Sequence, residues 1–169
     1  KVTLGKGGVV LNKTEGDSAT HAGCFPIREI YNRADRLDKI KTVVKKSSEH
    51  KGEFRLQNYK YLAGVNIFET LHKESGVVLK LDIRKTYYSI RSAGERLRIA
   101  NLIKADERVL VMFSGVGIYP FVFARHSKVA RILGVEINPD ACFYAAESLK
   151  LNKFKNVELV CADVREFFK

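Results

Sequence analysis

Residues 108–136 read RVLVMFSGVGIYPFVFARHSKVARILGVE, and three features of that stretch decide the fold. Arg108–Phe113 is a continuous apolar run of the kind that fills a buried parallel strand. Ser114-Gly115-Val116-Gly117 is a Gly-rich turn, and a helix-compatible stretch over Tyr119–Ser127 leads to a second apolar run, Ile132–Glu136. Working outward, Asn138 and Pro139 supply an N-cap and a first helical residue for a helix over Pro139–Leu151, and Val157–Cys161 is a third strand. Strand, helix, strand, helix, strand is the front half of a doubly wound, Rossmann-like α/β sheet.

The ends of these strands carry the chemistry-bearing residues. A Gly-rich turn lets backbone approach a ligand closely, and the N-terminus of the next helix offers free N–H donors. Gly115 and Gly117 alone are a weak signal, because many structural turns share the pattern. Glu136 ends the second strand 21 positions after Gly115, where nucleotide-binding folds put a carboxylate that accepts from ribose hydroxyls. Asp163, with its neighbour Val164, follows the third strand and is placed to accept from an exocyclic adenine amine. Gly-x-Gly, Glu and Asp at three successive strand ends form one rim, which is far more specific than any one of them. A dinucleotide fingerprint wants a third glycine three residues after the second, where this chain has Pro120, and that lowers the dehydrogenase reading.

Upstream, residues 92–104 (SAGERLRIANLIK) predict a helix with Ala93, Leu97, Ile99, Ala100, Leu102 and Ile103 on one broad face; Ser92 and Glu95 have the spacing of a capping box. Strands are expected over Lys41–Lys46, Gly52–Leu56, Val65–Glu69 and Val77–Ile83, with the SSEHK and HKESG stretches as reversals and residues 58–64 leading from the first pair to the second. Ile27, Ile30, Tyr31, Leu37 and Ile40 fall near helical spacing and predict a surface helix over 27–40. The expected organisation is an unassigned segment 1–25, a small α+β domain over 26–91 and the half-sheet domain over 92–169. Because the chain starts at Lys1 and the strand pattern stops mid-fold, it reads as a fragment.

The 169 residues are 46% hydrophobic, enough for a real core, with 30 Lys and Arg against 19 Asp and Glu and a net charge of +11. Residues 1–107 hold 21 basic and 13 acidic side chains and residues 108–169 hold nine and six, so the excess sits in the front part. Such a surface suits a polyanionic partner through phosphate neutralisation. Cys24, Cys142 and Cys161 are odd in number and far apart, suggesting neither a disulfide framework nor a zinc site and fitting a reducing, cytoplasmic location. His21, His50, His72 and His126 are scattered, so no metal site is expected. No apolar run approaches a transmembrane helix and no signal peptide is evident.

From about Ile40 to Phe168 the chain resembles the archaeal and eukaryotic tRNA (guanine-N1)-methyltransferases and their wybutosine-synthesis relatives. The matching motifs occur in order: KGEFRLQNYKYLAG, SGVVLKLDIRKTYYSIRSAGERLRIANLI, VLVMFSGVGIYPF, GVEINPDACFYAAESLKLNK and ADVREFF. The resemblance implies a class I methyltransferase domain binding S-adenosylmethionine behind a small RNA-binding domain, with tRNA as partner. It implies methyl transfer to N1 of the guanosine immediately 3′ to the anticodon. Aminocarboxypropyl transfer from the same cofactor, and a non-catalytic tRNA-binding relative, are the alternatives. It further implies Glu95 as the base for the guanine N1 proton and Arg55 as the cation near O6. Tyr87, Phe113 (on the floor of the Gly-rich loop), Gly115, Gly117, Glu136, Asn138, Asp163 and Val164 would hold the cofactor. Arg91 and Arg96 would hold phosphate or structure, and Lys41, Lys45, Lys46, Lys51 and Lys60 would face the RNA backbone. The chain departs from the family at Val111, where an Asp is usual, and at Ile118, where a proline is common. The family's Asn-Pro loop facing the target base would lie beyond Lys169.

Overall fold

The computed structural model describes residues 41–167 and three strands before them: β1 (Val2–Gly5), β2 (Gly8–Leu11) and β3 (Ile30–Tyr31). β1 pairs antiparallel with β2 and parallel with β3. The helix expected over 27–40 is therefore corrected at Ile30–Tyr31, whose backbone pairs with a strand, and the rest of that stretch lies outside the described residues.

β4 (Thr42–Lys46) pairs antiparallel with β5 (Tyr59–Gly64). The strand expected over Gly52–Leu56 is instead the tip of their connection. Lys51 and Leu56 exchange both backbone hydrogen bonds, and the residues between them turn, with Gly52 at φ 71° and Arg55 at φ 51°, values no strand accommodates. The second hairpin is shifted relative to expectation. β6 (Glu69–Glu74) pairs with β7 (Val77–Asp82), and the reversal shrinks to Ser75 and Gly76, both at positive φ. Such two-residue turns match the right-handed twist of the strands they join.

A 3₁₀ turn over Ile90–Ser92 leads into α1 (Ala93–Ala100), shorter than expected. The capping box is corrected: Ser92 makes no side-chain cap, and Glu95 turns to Arg98 on its own helix. Then follow β8 (Arg108–Met112), α2 (Ile118–His126), β9 (Arg131–Glu136), α3 (Pro139–Asn152), β10 (Val157–Cys161) and a short α4 (Val164–Phe167). The three strands are parallel in the order β10-β9-β8, the arrangement the sequence pattern implies. Burial of β8 on both faces is not observed among the described residues. Val109 and Val111 pack on the core, whereas Leu110 and Met112 are exposed.

The front hairpin is built into the same core. Val77, Leu79 and Leu81 of β7 are buried with Phe121 and Val122 of α2 and Ala141 and Tyr144 of α3. The free edge of β7 is satisfied by a helix. Asn152 accepts from the Val78 N–H (2.9 Å) and donates to the Val78 carbonyl (2.6 Å), while Ser148 accepts from the Lys80 N–H (2.9 Å). The match is geometric: four helix residues advance about 6 Å and two strand residues about 6.7 Å, so side chains at i and i+4 meet alternate strand residues.

The most deeply buried charged side chain among the described residues is Arg96, 2% exposed. Its Nε donates to Glu74 Oε1 (2.6 Å) and its Nη2 to Glu74 Oε2 (2.7 Å) and the Ser89 carbonyl (2.9 Å); the Tyr88 hydroxyl donates to the same carboxylate. Burial pushes the Glu74 carboxyl up, but the bonds from Arg96 and Tyr88 outweigh it and hold it below the ordinary value of 4.5. Because the folded value is depressed, this stabilisation is fully present above pH 4.5 and is lost as pH falls through the folded value. Glu74→Ala strands a buried guanidinium and is expected to cost about 3–5 kcal/mol in urea unfolding at pH 7. The difference from wild type is expected to narrow in acid.

Candidate functional site

Three strand ends, the linker that carries Tyr87 and one loop tip build the site. At the end of β8 the Ser114 N–H donates to the Val135 carbonyl (2.9 Å) and the Gly117 N–H to the Ser114 carbonyl (3.0 Å), closing the Gly-rich turn. The two glycines differ. Gly117, at φ 82°, caps α2, and a Cβ there would lie 2.7 Å from the Phe121 ring, so packing demands glycine. Gly115, at φ 57°, has open space where a Cβ would point, with only the Tyr87 carbonyl at 3.9 Å. This is where a ligand can reach backbone.

Glu136 braces the turn from the end of β9: its Oε2 accepts from the Gly115 N–H (2.8 Å) and its Oε1 from the Asn138 N–H (2.9 Å). A carboxylate offers about four lone-pair positions, so accepting capacity for ribose hydroxyls remains. Asn138 is 3% exposed; its Oδ1 caps α3 through Asp140 and Ala141, and its Nδ2 donates to the Lys85 carbonyl (3.0 Å). Its side chain is thus spent on shaping the rim. Asp163 stands after β10, accepting from the Arg165 backbone N–H (2.8 Å) and pairing with that guanidinium, and Val164 beside it is half-buried. Phe113 is corrected: at φ 57° and 73% exposed, it projects from the strand end and does not floor the loop.

The cysteine reading is also corrected. Cys142 and Cys161 form a disulfide across a Cα separation of 5.7 Å, joining the first turn of α3 to the end of β10. Nineteen residues apart in sequence, they meet because the parallel register sets Cys161 beside Glu136, from which α3 departs.

Arg55 and Tyr87, 32 positions apart, are brought together. The Arg55 guanidinium lies 4.5 Å from the Tyr87 ring centroid, and His50 stands edge-on to the same ring at 5.1 Å. A lone histidine in a polar reversal carries no signal in the sequence that singles out His50. Glu95 is exposed and bidentate to Arg98, whose hydrogen bonds hold its carboxyl below the ordinary glutamate range; it makes no contact with Arg55. Arg96 belongs to the core and Arg91 is exposed, as are Lys41, Lys45, Lys46, Lys51 and Lys60. Among the described residues no cluster of His, Cys, Asp or Glu can hold a metal ion, and no helix is long and apolar enough to cross a membrane.

The two glycines are expected to separate on substitution. Gly117→Ala should lower stability by about 1–3 kcal/mol in denaturant unfolding through overpacking. Gly115→Ala should cost about 1–2 kcal/mol of backbone strain, and in calorimetric titration it should weaken adenosine binding more than Gly117→Ala does.

Residues 70–169 match the TRM5/TYW2 methyltransferase domain. The tRNA (guanine(37)-N(1))-methyltransferase Trm5b of Pyrococcus abyssi is 42% identical over 127 residues, covering 75% of this chain and 38% of that protein. The tRNA(Phe) (4-demethylwyosine(37)-C(7)) aminocarboxypropyltransferase of Methanocaldococcus jannaschii is 38% identical over 140 residues, covering 83% of this chain and 54% of that protein. A solved complex of aTrm5 and tRNALeu superimposes with a TM-score of 0.72 at 38% identity, covering 79% of this chain and 39% of that one. The chain thus spans about half or less of the relatives it matches. With residues 70–169 matched by that domain, the chain belongs to the TRM5/TYW2 methyltransferase family.

Proposed function

We propose that the full-length protein containing this chain is an S-adenosylmethionine-dependent tRNA (guanine-N1)-methyltransferase acting on the guanosine immediately 3′ to the anticodon. Residues 92–169 would hold the cofactor and residues 26–91 would present tRNA. One observation carries the reading: the Arg55 guanidinium rests on Tyr87, whose carbonyl faces the open side of Gly115. A cation from the front unit therefore shares one place with the exposed backbone of the Gly-rich turn.

Two relatives transfer, by name, a methyl and an aminocarboxypropyl group. Both groups are substituents on the sulfonium of S-adenosylmethionine, which supplies an electrophilic carbon when bound. The residues present suit it. Gly115 leaves room for close approach, Glu136 retains acceptor positions for ribose, and Asp163 with Val164 and Tyr87 border the adenosine end; Asn138 and Gly117 keep the rim in shape. Arg55 stabilises the negative charge that grows on guanine O6 as N1 loses its proton, and Glu95 accepts that proton once it leaves Arg98. The exposed lysines of the front unit neutralise phosphates and set the position of the tRNA without reading sequence. Aminocarboxypropyl transfer is the second reading, favoured by the identity to the Methanocaldococcus jannaschii relative.

Full-length protein incubated with transcripts bearing G or A at the target position, and cofactor labelled in either group, is expected to place methyl label in the G transcript alone. Incorporation of the aminocarboxypropyl label instead selects the second reading, and methyl label in both transcripts or in neither overturns the first. Glu95→Gln is expected to lower kcat by about 10²- to 10⁴-fold, and full turnover by that variant removes the base assignment.

A further inference from the structure

We propose that His50 is a positioning residue for the methyl-transfer reaction, holding the Arg55 guanidinium on its tyrosine platform; this rests on the reading of Arg55 as the cation at guanine O6. Arg55 sits at φ 51°, a backbone region that residues with a Cβ rarely adopt. Something must hold it there. The Arg55 N–H donates to the Gly52 carbonyl (3.1 Å), and on the other side His50 Nδ1 lies 2.9 Å from the Arg55 carbonyl oxygen. A carbonyl only accepts, so Nδ1 carries the proton and donates.

His50 also touches the platform itself. Its ring meets Tyr87 at an interplanar angle of 75°, edge to face, while Arg55 lies over the same ring. One side chain therefore fixes both the backbone that launches the guanidinium and the ring on which it rests. The loop tip around it is independently closed by the Lys51–Leu56 backbone pair and by Ser48, which accepts from the Gln57 side chain (2.7 Å) through its carbonyl and from the Asn58 N–H (2.9 Å) through its hydroxyl. Removing His50 thus leaves the turn intact and frees only the orientation of Arg55. His50 is itself exposed, so its replacement does not open the core.

The test uses full-length protein, tRNA transcript and S-adenosylmethionine. His50→Ala is expected to lower kcat by about 10- to 100-fold through misplacement of Arg55. KM for tRNA should stay within about twofold, since the guanidinium's role is confined to the transition state. His50→Asn, whose amide N–H can replace the Nδ1 donor, should recover most of that loss. His50→Ala added to Arg55→Ala should slow the enzyme no further than Arg55→Ala alone. Wild-type kcat in His50→Ala beside a slow Arg55→Ala overturns the role of His50 and leaves that of Arg55 standing. Equal impairment of His50→Ala and His50→Asn also overturns it, because the hydrogen bond is then not what matters. Full turnover by Arg55→Ala overturns the reading of Arg55 and this inference with it.

Discussion

The buried pair of Glu74 and Arg96 is the constraint on which the placement of the site depends. A guanidinium at 2% exposure is tolerable only with its donors satisfied, and here they tie two segments together: the end of β6 at Glu74 and the linker, through the carbonyl of Ser89 and, by way of the shared carboxylate, the hydroxyl of Tyr88. The linker between front hairpin and α1 is thereby stitched down at Tyr88 and Ser89. Tyr87 is the preceding residue. Its ring faces the loop tip that carries Arg55 and its carbonyl faces Gly115 because its neighbour is anchored in the core.

A second set of bonds fixes the linker from the other end. Asn138 donates to the Lys85 carbonyl, Lys85 pairs with Asp140, and the edge of β7 is closed by Ser148 and Asn152. All of these partners lie on α3 or at its cap. The helix that follows the acidic strand end thus has two tasks, shaping the rim through its first turn and holding the front hairpin through its last two. This explains why Asn138, so close to the rim, is buried and bonded through both its side-chain oxygen and its nitrogen. It acts on the rim by fixing the start of α3 and the linker at Lys85, while its N–H holds the Glu136 carboxylate.

How far the sequence could be read follows from the range of the interactions involved. The parallel sheet was legible because apolar runs, a Gly-rich turn and an Asn-Pro cap are local patterns, and β9, α3 and β10 fall within a residue or two of where those patterns put them. Gly52–Leu56 misled because its composition suits a strand while positive φ at Gly52 and Arg55 makes it a turn. Ser92 and Glu95 have capping-box spacing, yet Arg98 lies one turn further along the helix and takes the carboxylate. Cys142 and Cys161 look unrelated until the parallel register makes them neighbours.

The sequence by itself determined the class of the rear half and the order of its strand-end residues, since hydrophobic periodicity and turn chemistry act between near neighbours. It also marked Arg55, Glu95 and Tyr87 through the motifs that contain them. Only the tertiary structure decided which glycine is open and which is packed, that Arg96 is core rather than surface, and that Arg55 rests on Tyr87 with His50 behind both. These outcomes depend on contacts between distant segments, where burial, register and backbone dihedrals set the geometry, and no local pattern of residue types encodes them.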